Sequence, residues 1–199
     1  LGEGGGGGAC FGDGALTGVM RVERIGAGDG LFEQSAALRE RVLLAPIGYT
    51  LERFEREYPG FADAEHIVGV IDHLTGERVV GTATLLPNHP EAGIGKLTQM
   101  AVDPQRRREG IGRRLVVELE KRAFLGHGLE LLFCHAQVSA VGFYERLGWR
   151  KEGEVFEEAG LEHFRMVLPG GAGSAATEGV AWSAGDGEGD DEVDGVLGV

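Results

Sequence analysis

The run from Lys96 to Leu115 constrains this chain most. An apolar strand pattern (Lys96 to Val102) passes through Asp103-Pro104 into an arginine-dense turn, then into a helix opened by Gly110 and Gly112. Glycine has no Cβ, so backbone N–H groups there can approach an anion closely, and a helix starting there points its positive end at that anion. Arg106, Arg107, Arg108, Arg113 and Arg114 crowd the same turn and repel one another unless an anion sits among them. The stretch reads as a site for a phosphorylated ligand.

Other nucleotide folds fail on spacing. A dinucleotide fingerprint needs a glycine where Leu115 stands and a glycine turn directly off the strand. The glycines from Gly4 to Gly8 form no phosphate loop, because no Gly-Lys-Ser/Thr follows them.

The basic cluster stands out because the chain is acidic, with a net charge of -13. Residues 170–199 carry seven acids from Glu178 to Asp194 and no Lys or Arg, and residues 1–18 are glycine-rich and nearly uncharged. Both ends read as disordered segments, a leader (1–18) and an acidic tail (170–199), around one domain at 19–169. The middle is only mildly acidic, which argues against a nucleic-acid groove. Cys10 and Cys134 give no disulfide framework, and no apolar run approaches the roughly 18 residues of a membrane span. The expectation is a protein of a reducing, cytoplasmic compartment with no membrane partner. Organelle targeting stays open because the sequence does not begin with Met.

Along the domain, Val19 to Ile25 alternates like a strand, and Asp29 can cap a helix carrying Leu31, Phe32, Ala36, Leu38 and Val42 that ends at Pro46. His66 to Ile71 and Arg78 to Leu86 read as strands joined by the turn Leu74-Thr75-Gly76-Glu77. After the Lys96 to Val102 strand, Ile111, Leu115, Leu119 and Ala123 recur at helical spacing. Leu129 to Ala136 reads as a buried strand, Ser139 to Leu147 as a short helix stopped by Gly148, and Trp149 to Phe156 with Glu162 to Leu168 as a closing antiparallel pair. The order βαβββαβαββ is α+β with a mixed sheet, and 45–65 reads as loop.

Arg107-Arg108-Glu109-Gly110-Ile111-Gly112 resembles the acetyl-CoA signature [Gln/Arg]-x-x-Gly-x-[Gly/Ala] of the GCN5-related N-acetyltransferase (GNAT) superfamily. The preceding Met100-Ala101-Val102-Asp103-Pro104 and the following Phe143-Tyr144-Glu145-Arg146-Leu147-Gly148-Trp149 stand at that superfamily's spacing, over residues 19–169. Glu65-His66-Ile67, His135-Ala136-Gln137 and Glu157-Glu158-Ala159-Gly160-Leu161-Glu162-His163 are similar to stretches of its ElaA-like branch.

The resemblance implies a GNAT fold, with a mostly antiparallel sheet of six to seven strands flanked by helices. It also implies an enzyme that moves acetyl from acetyl-CoA to a primary amine in a ternary complex, without a metal, and it leaves a homodimer open. It assigns cofactor binding to Met100, Ala101, Val102, Arg107, Arg108, Glu109, Gly110, Ile111, Gly112 and Arg113. The strand backbone at 100–102 would hold the pantetheine arm and polarise the thioester. Gln137 stands where many relatives place an Asn that contacts CoA, and Tyr144 would also line the cofactor and protonate the leaving thiolate. A phenol of pKa about 10 can do so if its O–H points at the sulfur.

The base that deprotonates the amine is open. Glu158, His163 and His66 are candidates by resemblance, and a water chain to bulk is equally compatible. Cys134, among Leu131, Leu132 and Phe133, is a poor covalent carrier because apolar burial raises a thiol pKa. Two rival classes remain: an acetyltransferase of protein N-termini or lysines, and a non-catalytic acyl-CoA-binding domain.

Overall fold

The computed structural model describes residues 19–57, 61 and 64–171. The leader and all but the first two residues of the tail lie outside the described residues. Seven strands form one sheet in the order β1-β2-β3-β4-β5-β7-β6. They are β1 (Arg21–Ile25), β2 (Glu65–His73), β3 (Gly76–Leu86), β4 (Ile94–Val102), β5 (Leu131–Gln137), β6 (Arg150–Glu158) and β7 (Leu161–Pro169). Every neighbouring pair is antiparallel except β4 and β5. Among the described residues four α-helices accompany them: α1 (Phe32–Arg39), α2 (Leu51–Glu57), α3 (Ile111–Lys121) and α4 (Val141–Arg146). The architecture is the α+β mixed sheet expected from the sequence.

Period-two alternation divides the core. In β2, Ile67 and Ile71 join α3 and α4 in one cluster, while Val68 and Val70 join α1 and α2 on the opposite face. The central strand β3 is buried from Val79 to Leu86, as a strand covered on both faces must be. On α3, Ile111, Leu115, Val116 and Leu119 are the buried stripe. Gly81 lets that stripe approach: a Cβ there would stand 2.7 Å from Ile111 Cγ2 and 2.9 Å from Leu115 Cδ1.

Three differences from the sequence expectations matter. First, α2 occupies part of the expected 45–65 loop. Phe54 is its one fully buried residue, with Leu51 packed partly buried against the same cluster. The helix is supported by Thr50 Oγ1, which accepts from the Arg53 N–H at 3.2 Å, and by the pairs Arg53–Glu57 and Arg56–Glu52. With one fully buried residue it has no readable apolar period. Second, Asp29 accepts from the Leu31 N–H at 2.9 Å, so it closes the turn before α1 rather than capping its first residue. Third, β4 carries a bulge. Thr82 pairs with Ala101 but Thr84 with Thr98, and Gln99 adopts φ 47°. The extra residue shifts the alternation, so that Leu97, Met100 and Val102 all reach the α3 face.

Candidate active site

Strands β4 and β5 pair only over Ile94–Lys96 and Leu131–Phe133. Beyond that point β5 continues to pair with β7 through Gln137, and β4 continues along β3 to Val102. The two parallel strands therefore diverge, leaving a wedge whose β4 wall holds the bulge and Met100, Ala101 and Val102.

At the α3 end of this wedge is an open groove lined by Val102, Arg106, Arg107, Arg108, Gly110, Ile111, Gly112, Arg113 and Phe143. Arg108 and Gly110 both adopt left-handed backbone, φ 68° and 70°, and Gly110 is the residue before the first turn of α3. Left-handed residues beside a helix start gather N–H groups on one side, a cradle suited to a pyrophosphate. Gly112 is a close packing point, since a Cβ there would meet Met100 Cε at 3.0 Å. The residues present thus fit a phosphorylated cofactor.

Mutual repulsion of five arginines is not the reason for that fit. Arg106 pairs with Glu109 at 2.7 Å, and Arg114 Nη2 donates to the Met20 carbonyl at 2.5 Å. Arg107, Arg108 and Arg113 line the groove beside Arg106. The Glu109 carboxylate holds Arg106, and Glu109 is not among the residues that line the groove.

Tyr144 is fixed from three sides. Helix α4 ends in a Schellman motif: the Trp149 N–H donates to the Tyr144 carbonyl at 3.1 Å, the Gly148 N–H to the Glu145 carbonyl at 3.0 Å, and Gly148 has φ 89°. The Trp149 ring packs 5.3 Å from the Tyr144 ring, and its Nε1–H donates to buried Glu120 at 2.7 Å. The phenol is fully buried and donates to Met100 Sδ at 3.8 Å. Burial, with the neighbouring Cys134 thiol and the Glu120 charge, holds its pKa well above the usual tyrosine value. Burial likewise pushes the Cys134 thiol far up, against a thiolate carrier.

On the opposite face of the sheet a second cluster closes the other side of the wedge. His135 Nδ1 lies 3.0 Å from Glu158 Oε2, and the Phe156 ring stacks over His163 at 6.0 Å and meets His135 edge-on at 4.9 Å. Burial pulls the Glu158 carboxyl up, but its hydrogen bond to His135 and the nearby charges of His135, Lys96 and His163 leave it below the ordinary value. Burial lowers Lys96, and Glu158 partly offsets the effect. His163 is 0% exposed, and its Nδ1–H donates to the Leu161 carbonyl at 2.9 Å. In the neutral ring that bond leaves the lone pair on Nε2, which is buried and has no hydrogen-bond partner among the described residues. Gln137 pairs in register with His163 and also has a buried Nε2 without such a partner.

Two of the three sequence-derived base candidates, Glu158 and His163, therefore lie together. His66 lies apart on β2, with Nδ1 3.1 Å from Thr84 Oγ1 and the Phe32 ring edge-on at 5.3 Å. Burial, with the charge of Arg39, lowers its pKa to about 4. Sequence reading missed His135, Lys96, Gln99 and Arg39 as members of this face. One signal was available: the three-residue step from Leu97 to Met100 in a strand of period two marks a bulge at Gln99.

A model of the GNAT acetyltransferase domain matches residues 54–169. The chain is 36% identical over 106 residues to the uncharacterized N-acetyltransferase YjcF of Bacillus subtilis (strain 168), covering 53% of this chain and 70% of that protein. Among solved structures, an aminoglycoside 6'-N-acetyltransferase complexed with coenzyme A shares the fold with TM-score 0.58 and 17% identity, over 75% of this chain and 96% of that one. ElaA of Escherichia coli does so with TM-score 0.55 and 17% identity, over 75% and 99%. The matched domain takes in the divergent strands, the arginine and glycine groove and the Tyr144 helix, and the chain belongs to the GNAT family of acetyltransferases.

Proposed function

We propose that this acyltransferase uses acetyl-CoA to acetylate a primary amine of a small molecule, by direct attack with both substrates bound. The observation that carries the reading is the wedge between β4 and β5. It has a groove lined by arginines and glycines at one end and a cluster containing an orphaned imidazole nitrogen on the other face.

Acetyl-CoA supplies an activated acetyl thioester. Val102, Arg107, Arg108 and the α3 start from Gly110 to Arg113 bind its phosphates, and the edge of β4 at Met100 to Val102, which β5 does not pair with, offers backbone groups to the pantetheine arm, with Gln137 on the β5 side. A β4 N–H donating to the thioester carbonyl stabilises developing negative charge by roughly 3 kcal/mol. His163 Nε2 takes the proton that an ammonium of pKa about 10 must lose before attack, and Glu158, held by His135, favours the charged amine beside it. The amine nitrogen forms its bond to the acetyl carbon as the carbon–sulfur bond breaks, and Tyr144 gives its proton to the departing sulfur. The second proton, shed by the acylated nitrogen, restores the phenol through water, so that the one net proton left on His163 passes to bulk. The raised pKa of the phenol keeps its proton in place until it is needed.

The test is thiol release from acetyl-CoA across small amines, polyamines, aminoglycosides and peptide N-termini, using the full chain. Turnover with a small amine is the expected result. Turnover confined to peptides selects a protein acetyltransferase, and tight CoA binding without turnover on any acceptor selects a non-catalytic acyl-CoA-binding domain.

A further inference from the structure

Arg39 ends α1 by running into the sheet: it is 1% exposed, and its Nη1–H donates to Gln99 Oε1 at 2.8 Å at the β4 bulge. Its other two nitrogens that bear N–H groups, Nε and Nη2, are buried and have no hydrogen-bond partner among the described residues, and the same holds for Gln99 Nε2. These atoms form a pattern. Nε–H and Nη2–H are the parallel side-on fork of a guanidinium, which matches the two oxygens of a carboxylate or phosphate, and Gln99, bound to the same guanidinium through Oε1, brings a third unmet donor.

The surroundings do not neutralise the fork. Phe32 packs against the guanidinium at 5.8 Å, Ser35 and Thr82 are satisfied by each other at 2.8 Å, and His66 bonds Thr84. Burial lowers the Arg39 pKa, and the exposed Glu55 on α2 is the acid that pulls against this. An arginine stays protonated even so, and a buried cation with unmet donors is costly unless an anion reaches it.

Resting on the acetyltransferase reading, we propose that the acceptor amine also carries an anionic group, a carboxylate or a phosphate, which docks on Arg39 Nε and Nη2 beside Gln99 Nε2. The planar two-oxygen match favours a carboxylate, which makes amino acids the first acceptor class. Gln99 sits one residue before Met100, so a ligand anchored there has its amine close to the β4 backbone that would hold the thioester.

The experiment compares kcat/KM for the common amino acids with their carboxamides, and for O-phosphoethanolamine with ethanolamine, in the full chain and in Arg39→Lys. Lysine keeps the charge and removes the fork. Acids are expected to exceed their neutral partners by about tenfold to a hundredfold, and Arg39→Lys to collapse that ratio. The carboxylate and phosphate pairs tell the two anions apart. Melting temperature with CoA present is the arm that needs no turnover: the favoured anionic amine raises it in the native chain, and Arg39→Lys loses the shift. Efficient acetylation of neutral amines with no preference for acids overturns the anion site and leaves the acetyltransferase reading standing. No transfer to any amine, together with an Arg39-dependent thermal shift, does the reverse. A ratio or shift that Arg39→Lys leaves unchanged overturns the assignment of Arg39.

Discussion

The hydroxyl of Tyr144 on α4 donates to the sulfur of Met100 on β4 across 3.8 Å, joining the helix to the strand wall of the wedge. A phenol already aimed at a sulfur on this strand is suitably placed to protonate another sulfur carried along it. Tyr144→Phe keeps the ring packed against Trp149 and removes only the O–H. If the phenol is the acid, kcat falls about 10²- to 10⁴-fold while CoA affinity and melting temperature hardly change. Near-native turnover, with chemistry shown to be rate-limiting, would leave Tyr144 as a packing residue.

The cofactor groove makes a second expectation. Gly110 holds φ 70° at the start of α3, a conformation most side chains avoid. Gly110→Asp adds backbone strain and puts a negative charge where the phosphates would lie, so calorimetry should show CoA affinity reduced by at least about tenfold. Arg107→Ala should weaken binding by a similar factor without the strain. Unchanged CoA affinity in Gly110→Asp would remove the groove from the reaction.

For the base, His163 and Glu158 make different demands. With the Nε2 lone pair as acceptor, His163→Gln should lower kcat/KM near pH 7 by about 10²-fold or more, and the deficit should shrink as pH approaches the amine pKa of about 10, where bulk water holds the amine unprotonated. Glu158→Gln should raise KM for the amine more than it lowers kcat, since that carboxylate attracts rather than deprotonates. A His163→Gln deficit that is constant with pH contradicts the base role and favours a packing role under Phe156.

Much of the fold was legible because local pattern and tertiary burial agree. The alternation in β2, the apolar stripe of α3 and the Gly148 stop after α4 each reflect a face that the structure buries. The groove was readable for a different reason: anion binding at a helix start uses consecutive residues, so its chemistry lies together in sequence. The acceptor face does not. Arg39 reads as an ordinary charge on a helix until Gln99, 60 residues away, buries it. The Glu158 cluster is assembled from β4, β5, β6 and β7. Helix α2 left no apolar period because Phe54 is its one fully buried residue.

The last expectation concerns acid stability and His66. Its folded pKa is lowered to about 4, first by burial and then by the charge of Arg39, against about 6.5 in an unfolded chain. The unfolded state therefore binds more protons than the folded one between those values. Stability from keeping His66 neutral is complete above pH 6.5 and is lost as pH falls towards 4, by an amount on the order of 3 kcal/mol at most. His66→Gln keeps a group that can hydrogen-bond Thr84 but does not titrate. Denaturant unfolding of the two proteins from pH 7 to pH 4 separates this residue from the carboxylates, such as Glu158, that also lose stabilisation in acid. The native chain should lose more stability than His66→Gln across that window, and the difference should level off below about pH 4. Parallel curves would show that His66 takes up its proton without cost, and that the contacts with Phe32 and Thr84 do not hold the ring neutral.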